Sequence, residues 1–211
     1  MMRSDVLIVA RAHRSPHLEC RGGIAARRTG CDTVHLVSSA ATPLGGDTIG
    51  VRVVVERGAR LTVRTAAATV ALPGPGTPES HATWTLEVAG HLDLDPQPTI
   101  VAAAARHFAS TRVELSDGST LRLRERVQIG RSGEREGFWS GSLRADAEGT
   151  PLLRHRVELG RGSLADDAIA APLACISELR YPRSEADAGT GGVTLALAAG
   201  GCLTTWQGDR L

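Results

Sequence analysis

Between Leu121 and Ile129 the chain reads Leu-Arg-Leu-Arg-Glu-Arg-Val-Gln-Ile, and one residue breaks an otherwise regular pattern. Leu121, Leu123, Val127 and Ile129 recur with the period of two that marks the buried face of a β-strand. Arg122, Arg124, Arg126 and Gln128 point the other way, which leaves Glu125 in an inward slot. An ionised carboxylate on a packed apolar face costs several kcal/mol unless it is paired, coordinated or wetted. The same fault recurs at His155, held inward by the register of Leu153, Val157 and Leu159. Running back from Ile49, Val51, Val53 and Val55, the odd-numbered face also reaches Asp47, directly after Gly45-Gly46. Each break admits a buried ion pair with one of the arginines. Three together favour a shared polar cavity or channel over three unrelated ion pairs.

Covalent catalysis has little support in the chain. There is no Gly-x-Ser-x-Gly elbow and no His-Glu-x-x-His pair. Cys20, Cys31, Cys175 and Cys202 lack the Cys-x-x-Cys spacing of a structural zinc site, and they read as reduced thiols. His13 and His17 are four apart, but Pro16 argues against a helix that would align them. The glycines between Pro73 and Pro78 have no strand-to-helix context and no Gly-Lys-Ser/Thr, so they do not form a phosphate loop. A hydrolase using Glu125 and His155 as acid and base is the weakest reading, because neither comes with a recognisable nucleophile.

The elements that position these residues read as strands. In a chain of 211 residues, 24 basic and 23 acidic groups nearly cancel, and every basic residue is arginine. That balance argues against a nucleic-acid or membrane-surface binder driven by charge. No apolar run approaches the ~20 residues of a membrane span, and a cytoplasmic location is expected. Val6 to Ala12, Thr33 to Ser38, Thr48 to Glu56, Arg60 to Thr65, Trp84 to Val88, Leu121 to Ile129, Gly192 to Ala198 and Cys202 to Trp206 are predicted strands. Gly58-Ala59 and Ser116-Asp117-Gly118 are read as hairpin turns. Ile100 to Ala105 and Ser163 to Ala174 are the helix candidates, and Asp187 to Gly192 reads as a flexible loop. The sum is a mainly β, layered fold with one or two short helices, in a single domain over residues 1–211.

A more specific signal comes from motif order. Gly45-Gly46-Asp47 precedes an alternating strand, followed by Gly58-Ala59 and the small-residue run Thr65-Ala66-Ala67-Ala68-Thr69. Next come Pro96-Gln97-Pro98-Thr99-Ile100, and then Ile129-Gly130-Arg131 with Glu136, Phe138, Gly141 and Leu143 beyond it. In this order and spacing, Leu36 to Arg144 resembles the UreD (UreH) family of urease accessory proteins, and a fainter likeness continues toward the end. The resemblance implies a non-catalytic scaffold with a β-helix-like stack of sheets. It further implies binding to apo-urease and to urease accessory proteins F and G, the latter a GTPase that supplies nickel. Such a scaffold holds no cofactor of its own; nickel is in transit through a polar internal channel. Asp47, Thr69, Glu125 and His155 match the family's channel-lining positions. Gly45, Gly46, Gly130, Arg131 and Glu136 match its structural motifs, with Arg131 and Glu136 as a pair that pins a turn. The rival reading is a stand-alone β-sheet module that binds a small ligand in a polar pocket.

Overall fold

The computed structural model describes residues 1–164, 166, 171–183 and 191–211. Its strands in chain order are β1 (Arg3–Ala10), β2 (His17–Arg21), β3 (Ile24–Arg28), β4 (Thr33–Ser38), β5 (Thr48–Val55) and β6 (Arg60–Thr65). They continue with β7 (Thr69–Ala71), β8 (Glu79–Val88), β9 (His91–Leu94), β10 (Thr99–Val101), β11 (Arg106–Leu115) and β12 (Thr120–Ile129). The last are β13 (Phe138–Ala147), β14 (Thr150–Gly160), β15 (Ala174–Tyr181), β16 (Val193–Ala196) and β17 (Cys202–Gly208). One sheet of seven strands runs β14-β13-β11-β8-β5-β1-β2. A second sheet of ten runs β16-β17-β15-β12-β9-β6-β4-β3, with β7 and β10 attached beside β12.

The middle of the molecule is a β-helix-like stack. Three successive rungs each lay a strand in the first sheet, turn, and lay the next in the second: β5 then β6, β8 then β9, β11 then β12. Equivalent strands pair in parallel, so inward residues stack in columns such as Val53, Leu86 and Val113, or Leu61, Leu92 and Leu121. All six are buried. Each fully buried Val or Leu contributes about 1.5–3 kcal/mol, and repeated columns of them hold the two sheets face to face.

Two expected hairpins are therefore corners. Gly58-Ala59 joins β5 to β6, and Ser116-Asp117-Gly118 joins β11 to β12, but the partners in each case lie in different sheets. A tight glycine turn reverses the chain equally well in either arrangement, and only the distant strand partners decide between them. The turn at Glu148-Gly149 does close a true antiparallel hairpin, between β13 and β14.

The described residues contain no helix. Of the two expected ones, the segment Ile100–Ala105 instead gives β10 its last two residues and ends in a turn. Parallel pairing of β10 with both β7 and β12 overrides the helical preference of its alanines. For the other, 165 and 167–170 lie outside the described residues; Ser163 sits in a turn and Ala174 opens β15. Of the expected loop 187–192, residues 187–190 lie outside them as well.

Candidate functional site

The buried apolar residues form two clusters rather than one. The larger contains Leu94, Leu123 and Leu143, and the smaller Val101, Val127, Trp139 and Val157. On β12 the break falls between Leu123 and Val127, where Glu125 projects inward. The rungs themselves explain the gap. β12 runs unbroken through this level, whereas its neighbours leave the sheet there, through Ala66–Ala68 between β6 and β7 and through Asp95–Pro98 between β9 and β10. Three alanines in the outer bend leave space that larger side chains would fill.

The result is a partly open cavity of about 230 Å³. Thr65, Thr69, Glu125, His107, His155 and Ser177 are half of its polar lining, which also includes Arg124 and Arg126 beside Glu125. Val37, Ser38 and Ala66–Ala68 line it and are exposed, so they form its mouth. Apolar surface from Ile49, Val51, Trp84 and Trp139 completes the enclosure. The indole of Trp139 lies over Gly141, where a side-chain Cβ would sit 2.1 Å from the ring.

Glu125 makes no ion pair and no hydrogen bond among the described residues. The neighbouring arginines are engaged on the opposite face: Arg122 and Arg124 with Glu178, and Arg126 with Asp95. The carboxyl therefore faces the cavity without a partner among the described residues. Burial pushes its pKa up to about 7. The unfolded chain releases this proton near 4.5 and the folded chain only near 7, so the unfolded state binds fewer protons in that window. Stability consequently falls as pH rises through it. The Glu125→Gln variant lacks this titration. Its stability advantage over the unaltered chain is expected to grow from near zero at about pH 4.5 to at most about 3 kcal/mol at about pH 8. Urea unfolding at both pH values measures the difference, and a pH-independent gap would contradict a buried, unpaired carboxyl at Glu125.

His155, on β14, stands at another part of the wall, with Nε2 3.4 Å from Ser177 Oγ. Ser177 in turn is the β15 partner of Glu125, so the two sheets meet here through a serine. Burial lowers the pKa of His155, which favours the neutral, ligating imidazole. Thr69 reaches the cavity from β7, where its neighbours across the sheet are Thr99 and then Val127.

Asp47 is buried but stands apart from this wall. Its carboxylate accepts hydrogen bonds from Met2 N at 2.7 Å, Leu44 N at 3.0 Å and Thr42 Oγ1 at 3.0 Å. Burial raises its pKa, but these donors outweigh that and hold it below the usual carboxylate range. The turn it closes needs Gly45, since a Cβ there would lie 1.8 Å from Thr77 O, and Gly46 has φ +94°. Gly130 likewise has φ +79° and its Cβ would meet Glu134 O at 2.2 Å. Beside it, Arg131 pairs with Glu134 rather than Glu136, and Glu134 Oε2 also accepts from Ala103 N and Arg131 N. Glu136 is 3.7 Å from Arg161.

His107 and Ser177 are wall residues that the sequence pattern did not single out. The signal for His107 was present: His107, Ala109, Thr111, Val113 and Leu115 form the inward register of β11. No group of three or more His, Cys, Asp or Glu converges on one point among the described residues. From the strand registers, His107 and His155 are two strands and four residues apart, roughly 16 Å along the sheet.

Fold and site together define a β-helix-like protein with a partly open, mostly apolar cavity between its sheets, into which a few polar side chains project. The family model described as UreD urease accessory protein matches residues 9–203, and the chain belongs to that family. It is 44% identical over 150 residues to a protein named urease accessory protein UreD 1 from Saccharopolyspora erythraea, an alignment covering 70% of this chain and 59% of the relative. It is 43% identical over 183 residues to urease accessory protein UreD from Frankia alni, covering 75% of this chain and 61% of that one. The chain thus spans about 60% of the length of these curated relatives.

Proposed function

We propose that this chain is a urease maturation scaffold of the cytoplasm that binds apo-urease together with urease accessory proteins F and G and conducts nickel toward the urease active site. The observation that carries this reading is the unpaired carboxyl of Glu125 in a cavity that also holds His155 and Thr69. Oxygen and imidazole donors suit Ni²⁺. Their spread along the wall suits a cargo that moves on, whereas a resident ion needs several donors at one point. Arriving nickel would replace the proton of Glu125, so the cavity need not hold an uncompensated charge when empty. The role assigned here is non-catalytic: positioning partners and lining a route.

A small-ligand-binding module is the second reading, favoured by the apolar surface of Ile49, Val51, Trp84 and Trp139 in the same cavity. Co-expression separates the two. Urease purified from cells with this chain is expected to retain it before nickel loading and to carry more nickel than urease from cells without it. Equal nickel content and no co-purification would leave the ligand-binding module as the better account.

A further inference from the structure

We infer that His107 is a second nitrogen donor for the transiting cation, oriented by Ser80 and placed at the inner end of the cavity wall. This inference deepens the nickel-conducting reading and rests on it. His107 is 3% exposed, yet it lines the cavity. Its Nδ1 lies 2.9 Å from Ser80 Oγ, the side chain opposite it on β8. Among the described residues Nε2 has no hydrogen-bond partner. Nε2 is not among the buried polar atoms left without a partner, so the unpaired nitrogen is open to the cavity that the ring lines.

The arrangement has the form that metal-binding imidazoles take. A ring that donates its Nδ1–H to an oxygen is locked in one tautomer, with its Nε2 lone pair free for a cation. In the tautomer this inference assigns, Ser80 Oγ accepts that hydrogen. Burial, reinforced by nearby His81, holds the pKa of His107 near 4, so the ring is neutral and able to ligate at physiological pH. The location also adds something. Thr48 of β5 pairs with His81 of β8, which puts Asp47, Ser80 and His107 in one row across three parallel strands. A buried polar row thus leads from the cavity toward the Gly45-Gly46 turn. His155 lies at the other side of the same wall. A cation met by Glu125 and His155 would find its next nitrogen at His107.

The test uses the full chain and Ni²⁺ alone. A ring bound directly to high-spin Ni²⁺ gives a strongly shifted, solvent-exchangeable imidazole N–H proton resonance, while a ring merely nearby does not. The unaltered chain is expected to show one such signal from His107. It should vanish in His107→Gln, and in Ser80→Ala it should broaden as the unprotected N–H exchanges with water. Loss of this serine is also expected to weaken Ni²⁺ binding on the order of tenfold, as for other partners that orient a ligating histidine. Shifted signals that include His155, unchanged in both variants, would overturn the role of His107 and leave the nickel route standing. No shifted signal from any cavity histidine would overturn both. Should His107→Gln fail to fold, Ser80→Ala carries the same discrimination.

Discussion

Urease matured alongside the Glu125→Gln chain is expected to contain on the order of tenfold less nickel than urease matured alongside the unaltered chain. Glutamine keeps the size and one oxygen donor of Glu125, so the cavity and the strand register survive. What it removes is the group that can exchange a proton for a cation and offset part of its charge. Nothing else on the wall replaces it: His155 and His107 are neutral donors, and Thr69 and Ser177 are hydroxyls. The variant should also be at least as stable as the parent at neutral pH, because no ion pair is lost. A folding defect and a conduction defect are thereby separable in one experiment. Metal analysis of purified urease, with the chain's abundance checked alongside, reads the result. Equal loading would show that nickel does not pass Glu125, and would shift attention to the ligand-binding reading of the cavity.

The second large effect belongs to a carboxylate that does the opposite job. Glu178→Ala is expected to cost about 3–5 kcal/mol of folding stability, the usual penalty for removing one member of a buried charge group. Glu178 is only 3% exposed and lies on the other face of the same sheet. Its Oε2 accepts from Arg124 Nε at 2.6 Å and Arg122 Nη2 at 3.2 Å, and its Oε1 pairs with Arg180. Burial alone raises its pKa, but the hydrogen bond from Arg180 and the charges of Arg122, Arg124 and Arg180 outweigh it, leaving the carboxyl below its ordinary range. The group extends through Asp93 and Asp95 to Arg64 and Arg126. Removing Glu178 would leave several guanidiniums crowded against a sheet that, among the described residues, supplies no other deeply buried counter-charge. Urea unfolding measures the cost, and Glu125→Ala in parallel should show a much smaller one. A loss below about 1 kcal/mol would mean that water already screens the group.

Glu125 and Glu178 show how far local sequence reaches. The inward placement of Glu125 follows from a period of two, and no packing can alter it without turning the whole strand. The strands of the rungs were legible too, because valine and leucine alternate along them, but their stacking was not, since the turns between them read as hairpins. The same period is silent about what lies opposite. Whether Glu125 faced an arginine or a cavity depended on the bends at Ala66–Ala68 and Asp95–Pro98, which are distant in sequence. The inward register of His107 was legible in the same way, but nothing in it says what the ring meets until Ser80 is placed beside it.

Asp47 illustrates the reverse case. Its inward register is real, but the carboxylate folds back onto the donors of its own turn. The hairpins that became corners have the same cause, since a glycine turn specifies a reversal and not the strand that receives it. Pattern and composition by themselves determined that this chain is β-rich, which side chains face inward, and which family it resembles, because these depend on backbone geometry and residue order. Only the tertiary structure decided which inward groups share a cavity and which are closed off, because that depends on strands brought together from across the whole chain.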